Sequence, residues 1–183
     1  MIRWPAMQAR GLLMIEHRLI ERMISLISET AATIRSTQTV DPLFVDTTVD
    51  FIRVYADLTH HGKEEDIMFR DLEQRSLSEE DRRLMRELID DHVLGRKTTQ
   101  ALVDANIRYR DGDTSVLTAI ADHLETLADF YPLHIEKEDK AFFPVARQYV
   151  TDEDDQAMLG DFYEFDRKMI HEKYTAVVEA LES

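Results

Sequence analysis

His134-Ile-Glu-Lys-Glu138-Asp-Lys-Ala-Phe142-Phe143-Pro144 decides how this chain folds, because the same phrase occurs earlier. Residues 60–69, His60-His-Gly-Lys-Glu64-Glu-Asp-Ile-Met68-Phe69, align with it without a gap. His60 falls on His134, Glu64 on Glu138, Glu65 on Asp139 and Phe69 on Phe143. A histidine followed four residues later by a carboxylate sets both on one helical face, one turn apart. Imidazole and carboxylate presented twice in this way form a donor set suited to iron, manganese or zinc.

Outward from these two stretches the chain reads as helices. A first helix is predicted over 6–36, where Leu13, His17, Ile20, Ile24, Ile27, Ala31 and Ile34 alternate steps of three and four. Asp41-Pro42 caps a second, running to about residue 75, with Val45, Val49, Ile52, Ala56, His60 and Glu64 on one face. Ser78 and Asp81 cap a third, whose seam is Leu84, Leu88, His92, Gly95, Thr99 and Leu102, ending near residue 110. Asp113 caps the fourth, with Leu117, Ile120, Leu124, Leu127, Tyr131, His134, Glu138, Ala141 and Val145 in register. Pro132 inside it predicts a kink before the ligand turn. Thr151 and Asp154 start a fifth helix reaching about residue 181, whose Leu159, Phe162, Met169 and Val177 are positioned to cover the bundle.

Short connections between long helices imply an all-α, up-down-up-down four-helix bundle with an additional C-terminal helix. Counting residues from each turn places His17, His60, His92 and His134 at nearly one height, within a few ångströms at about 1.5 Å per residue. The spacing from His17 to His60 matches that from His92 to His134 to within one residue, so each half is a hairpin with a lone histidine and a His-x-x-x-Glu. One histidine on an apolar stripe is ordinarily a hydrogen-bonded core residue. Four at one level with two glutamates are different, since buried carboxylates without cations cost several kcal/mol each.

The chain has 183 residues, 22 basic and 37 acidic, for a net charge of −15, which opposes binding to nucleic acid or anionic membrane. It is predicted to be a single domain, residues 1–183, with no linker. The absence of cysteine removes disulfides and thiolate ligands. No apolar run is long enough to span a membrane, and Met1-Ile-Arg-Trp-Pro5 does not resemble a signal peptide, so a soluble cytoplasmic protein is expected.

Four imidazoles and two carboxylates exceed what a structural zinc site uses and suit two metal ions. One assignment gives His17 and His60 to one ion and His92 and His134 to the other, bridged by Glu64 and Glu138. A solvent-derived bridge then leaves each octahedral ion one open position, available to O2, peroxide or NO. The Glu-x-x-His of ferritin-like carboxylate sites is absent, as is His-Glu-x-x-His. His61 is assigned outside the ligand set, behind it or facing solvent, because the repeat selects His60. His123 lies about 16 Å along the axis from His134, too far to share a centre. His171 reads as a surface or packing residue, and Tyr131 either packs or hydrogen-bonds at the site.

In its lone His17, His60-x-x-x-Glu64, lone His92 and His134-x-x-x-Glu138 the chain resembles the hemerythrin family, specifically the hemerythrin-like HHE cation-binding domains. The resemblance covers the chain from the first helix to Pro144, with the fifth helix as an appendage. It implies a four-helix bundle holding an oxo- or hydroxo-bridged pair of iron ions, with His17, His60, Glu64, His92, His134 and Glu138 as ligands. Oxygen carriers of the family have a further histidine four residues after the third-helix ligand, and here that position is Arg96. They also use an aspartate five residues after the last histidine, where Asp139 stands, although Glu138 fits the internal repeat. Without the fifth histidine the two irons are alike in ligand count, which argues against reversible oxygen carriage. Arg96 is expected to pair with a bridging glutamate or to favour an anionic ligand.

The expected function is binding or sensing of O2, peroxide or NO at a di-iron centre, with manganese or zinc able to occupy the same donors. Alternatives are an oxidant- or NO-reducing or peroxidase-like enzyme, labile iron storage and donation, and a metal-free interaction module. His60→Ala, and not His61→Ala, is expected to abolish stoichiometric metal loading.

Overall fold

A computed structural model describes the backbone of residues 8–182 and most of their side chains. Residues 6 and 7 of the expected first helix, the opening Met1-Ile-Arg-Trp-Pro5 and the side chain of Val177 lie outside the described residues. Among the described residues there are helices and no strand.

Helix α1, Ala9–Thr37, ends at Gln38, whose left-handed backbone lets its N–H reach the Ile34 carbonyl. Helix α2 spans residues 42–73 and opens where the Asp41 carboxylate accepts the Leu43 N–H at 2.9 Å, with Pro42 at the first position. Helix α3, Glu79–Arg110, starts at Ser78, whose hydroxyl accepts the Asp81 N–H at 3.1 Å and donates to the Asp81 carboxylate at 2.7 Å. Helix α4 covers residues 117–146 after a 3-10 turn, Thr114–Val116, capped by Asp113. Helix α5, Asp152–Glu182, begins with a reciprocal pair: Asp154 accepts the Thr151 N–H at 2.9 Å and Thr151 accepts the Asp154 N–H at 3.1 Å.

The apolar seams face inward as their spacing requires. Every predicted seam residue of α1 is buried, His17 included. Helix α1 packs along α4, α4 along α3 and α3 along α2, while α5 leans on α1 and α2. The hydrocarbon core falls into two clusters. One runs from Ile20 to Ile34 on α1 with Val45, Leu102, Ile120 and Leu127. The other gathers Leu13, Phe69, Met85, Phe142 and Phe143 with Leu159 and Phe162 of α5. The polar histidine level lies between them.

Two helices leave the α register at that level. Helix α2 is π-helical over Phe51–His61 and Glu64–Phe69, and α4 over Glu138–Phe142. A wider turn carries more residues per revolution than the 3.6 of an α-helix, and such turns concentrate at functional sites. Helix α4 continues as α-helix through Pro132, and its π-helical turn begins six residues on, at Glu138. No described helix is long and apolar enough to cross a membrane.

Candidate metal centre

His17 comes from α1, His60 and Glu64 from α2, His92 from α3, and His134 and Glu138 from α4. All six side chains are buried in one belt. Ligand-capable atoms of His17, His60, Glu64 and Glu138 lie within 4.8 Å of one another, and so do those of His61, Glu64, His92 and His134. Glu64 belongs to both groups. Glu138 also reaches both, its Oε2 lying 3.1 Å from His17 Nε2 and its Oε1 3.2 Å from His134 Nε2.

Each imidazole is aimed from behind. His17 Nδ1 meets Asp139 at 2.8 Å, His60 Nδ1 meets Glu16 at 2.8 Å, His92 Nδ1 meets Glu65 at 2.7 Å and His134 Nδ1 meets Asp91 at 3.3 Å. An ionised carboxylate only accepts, so each Nδ1 carries the proton and donates it outward. The Nε2 lone pairs are left pointing inward, the arrangement by which carboxylates orient metal-binding histidines. These acids follow a circular order. Glu16 of α1 holds α2's histidine, Glu65 of α2 holds α3's, Asp91 of α3 holds α4's, and Asp139 of α4 holds α1's. Each acid is in turn met by a cation of the helix it serves: Lys63 on Glu16, Arg96 on Glu65, Lys137 on Asp91 and Arg18 on Asp139.

The charges inside the belt answer to one another. Burial opposes protonation of His17, yet its bond to Asp139 and the nearby Glu138 and Glu64 carboxylates lift its pKa to about 10. His92 and His134 are likewise raised against burial by the surrounding carboxylates. Burial would push the Glu138 carboxyl up, but His134, His17 and His92 hold it well below the usual range. His61 goes the other way: burial first, then the charges of His92, His60 and His134, keep it neutral.

Whether these residues fit a cation can be read from their free atoms. Both oxygens of Glu64, both oxygens of Glu138, and Nε2 of His92 and of His134 are buried without a hydrogen-bond partner. His17 Nε2 and His60 Nε2 face each other at 2.9 Å, where only a proton or a cation between them relieves two opposed lone pairs. Buried polar atoms are otherwise almost always paired. A group of converging orphan donors, all imidazole or carboxylate, fits hard or borderline cations.

His61 departs from its expected place. The sequence period puts it on a face with Val54 and Leu58, behind the ligand set or facing solvent; instead it is buried while Leu58 is exposed. Its ring stacks on His92 with centroids 3.8 Å apart, and its Nδ1 lies 3.3 Å from Asp57. The π-helical turn ending at His61 is the cause, since more residues per turn bring adjacent side chains closer to one face. Of the two roles expected for Arg96, pairing with a glutamate of the inner belt is not seen: it bonds Asp57 at 2.8 Å and Glu65 at 2.6 Å. Asp139 sits outside the belt, on His17 Nδ1 and Arg18. Tyr131 is buried and its ring lies nearly parallel to His61 at 6.3 Å. His171 is exposed, and His123 lies outside both groups.

Glu16, Glu65, Asp91 and Asp139, the acids that aim the histidines, stand out in the sequence only by position. The available signal was an acidic residue directly beside His17, Glu64, His92 and Glu138.

Compared with known proteins, the chain matches the family model described as the hemerythrin HHE cation binding domain over residues 9–172. No curated protein and no solved structure matches it significantly.

Proposed function

This chain belongs to the hemerythrin HHE cation-binding family, and on that premise we propose that its buried belt holds two iron ions joined by an oxo or hydroxo bridge and responds to O2, peroxide or NO. The proposed ligands are His17, His60, Glu64, His92, His134 and Glu138, with His61 as a fifth imidazole beside His92 and His134. The observation that carries this reading is the set of inward Nε2 and carboxylate atoms without partners, each histidine fixed from behind by an acid.

A bound pair of irons supplies reversible redox change and exchangeable positions for a small ligand. The protein's own contribution is orientation. Glu64 and Glu138 reach both groups and so would hold a cation in each. The outer carboxylates hold each tautomer and raise the donor strength of Nε2. His61 bears on the expectation drawn from Arg96: the histidine missing from α3 has a counterpart on α2, so the two groups need not be alike in imidazole count.

Metal analysis and an optical spectrum of protein made in iron-replete cells test the proposal. The expected result is two irons per chain with near-ultraviolet oxo-bridged ferric absorption. Colourless, iron-free protein that refolds identically in chelator would sink it. Reduced protein that takes up O2 and releases it under vacuum would mark a binding role. A second reading, turnover of peroxide or NO, is favoured by a polar cavity that ends on His61; sustained consumption of either with reductant would select it.

A further inference from the structure

A cavity of about 190 Å³ opens between α2 and α3 and ends on His61. Its rim is formed by the exposed Arg53, Arg96 and Gln100, and its depth by the buried His61, Gly95 and Tyr131. The space is large enough for several waters. Organic ligands of ordinary size need about 300 Å³ or more, so the cavity admits only species of a few heavy atoms.

The polar groups facing this space are unevenly committed. Arg96 is engaged by Asp57 and Glu65. Arg53, by contrast, meets only the Gln100 side-chain oxygen at 2.6 Å among the described residues. The Tyr131 hydroxyl has no hydrogen-bond partner among the described residues, although the residue is 1% exposed. It borders the space left by the missing side chain of Gly95, where an added Cβ would sit 3.9 Å from it. The free groups are therefore donors: one buried phenol at depth and one guanidinium at the rim. The cavity ends on the belt itself, because His61, one of its inward donors, lines the cavity and stacks on His92.

The opposite side of the belt differs. His17 lies parallel to Phe143 with centroids 5.8 Å apart, and the space beyond Phe143 is a cavity of about 20 Å³. That is room for about one water, against several in the cavity behind His61.

The geometry points to the cavity behind His61 as the holding site through which a small, hydrogen-bond-accepting oxidant reaches the centre, bound by the Tyr131 hydroxyl and Arg53. This rests on the di-iron reading above. A ligand there accepts from Tyr131, whose hydroxyl has no protein partner among the described residues, and its few atoms fit where a larger oxidant is refused. Gly95 keeps the space open.

Azide is the probe, added to iron-loaded ferric protein and followed by the absorption band it produces. Tyr131→Phe keeps the ring packing and removes the donor, and it is expected to slow the appearance of the band about tenfold at low azide, with the final binding strength little changed. Arg53→Gln is expected to slow it less. Gly95→Leu fills the space and is expected to slow the appearance of the band severalfold while iron content stays at wild-type level. If Gly95→Leu folds poorly, Tyr131→Phe alone decides. A wild-type rate of band appearance in both Tyr131→Phe and Gly95→Leu would overturn the proposal, as would iron-loaded wild type that gives no azide band. Protein without ferric absorption would instead mark failure of the di-iron reading, before azide is added.

Discussion

Lys63 and Lys137 occupy the same place in the two repeats, three residues after the ligand histidine, and both meet an acid that holds that histidine. Their surroundings differ sharply. The Lys63 side chain is 0% exposed and the Lys137 side chain 31% exposed. Helix α5 makes the difference. Its Asp166 bonds Lys63 at 2.7 Å, and its Phe165 packs against Gly62. The second repeat has Glu136 in place of Gly62 and is not covered in this way. Equal chemistry at equal spacing thus sets who pairs with whom, while the helix packed above sets how deeply the pair is buried.

The largest expected contrast follows from that depth. Lys63→Met leaves Glu16 charged and buried without its ammonium, and should cost about 3–5 kcal/mol in urea unfolding of metal-free protein. Lys137→Met should cost about 1 kcal/mol or less, because water reaches the pair. Similar losses in both variants would break the comparison.

The next contrast concerns aim. Glu16→Gln and Asp91→Asn remove the charge behind His60 and His134, and each should lower metal affinity by about 10–100-fold in chelator competition. Glu16→Gln should do more, since its bond is 2.8 Å against 3.3 Å. The reverse ranking would mean that depth does not strengthen the hold.

Smaller again is Gly62→Ala. An added Cβ would stand 2.8 Å from Phe165 Cζ, so the ring must move and α5 with it. Overpacking minus the helix-propensity gain leaves a net loss of about 1 kcal/mol by thermal melt. Glu136→Ala at the matching position should change stability by less than about 0.5 kcal/mol. A stabilising Gly62→Ala would mean that α5 is not held by this contact.

The gentlest effect is spread over pH. In metal-free protein His17 has its pKa at about 10, above the roughly 6.5 of an unfolded chain. Its contribution is full below about 6.5 and is lost as pH rises toward about 10. His61, held down mainly by burial, does the opposite: its contribution is present above about 6.5 and fades as pH falls. Denaturant midpoints should therefore fall on the alkaline side without metal. They should hold there with metal, which takes the place of the protons. A flat alkaline limb in chelator would contradict the charge reading of the His17 side.

Much of this was legible from spacing. Turn-to-turn counting put four histidines at one height, and capping residues at Asp41, Ser78, Asp113 and Thr151 fixed the helix starts. His61 was not legible, because a period of 3.6 presumes an α-helix and the segment is π-helical. Glu16, Glu65, Asp91 and Asp139 were hidden for another reason. Each sits beside one proposed ligand in sequence but serves a histidine on a different helix. The depth of Lys63 depended on α5, and only Gly62 inside a helix hinted that something lies close above.

The circular order of acids has no first or last member, since α4 hands back to α1. An isolated α1–α2 hairpin would keep His60 aimed by Glu16 but leave His17 swinging, its acid being on the far side of the closed molecule. Cation capture is then a late event in the life of the chain, reporting that all four helices have come home together.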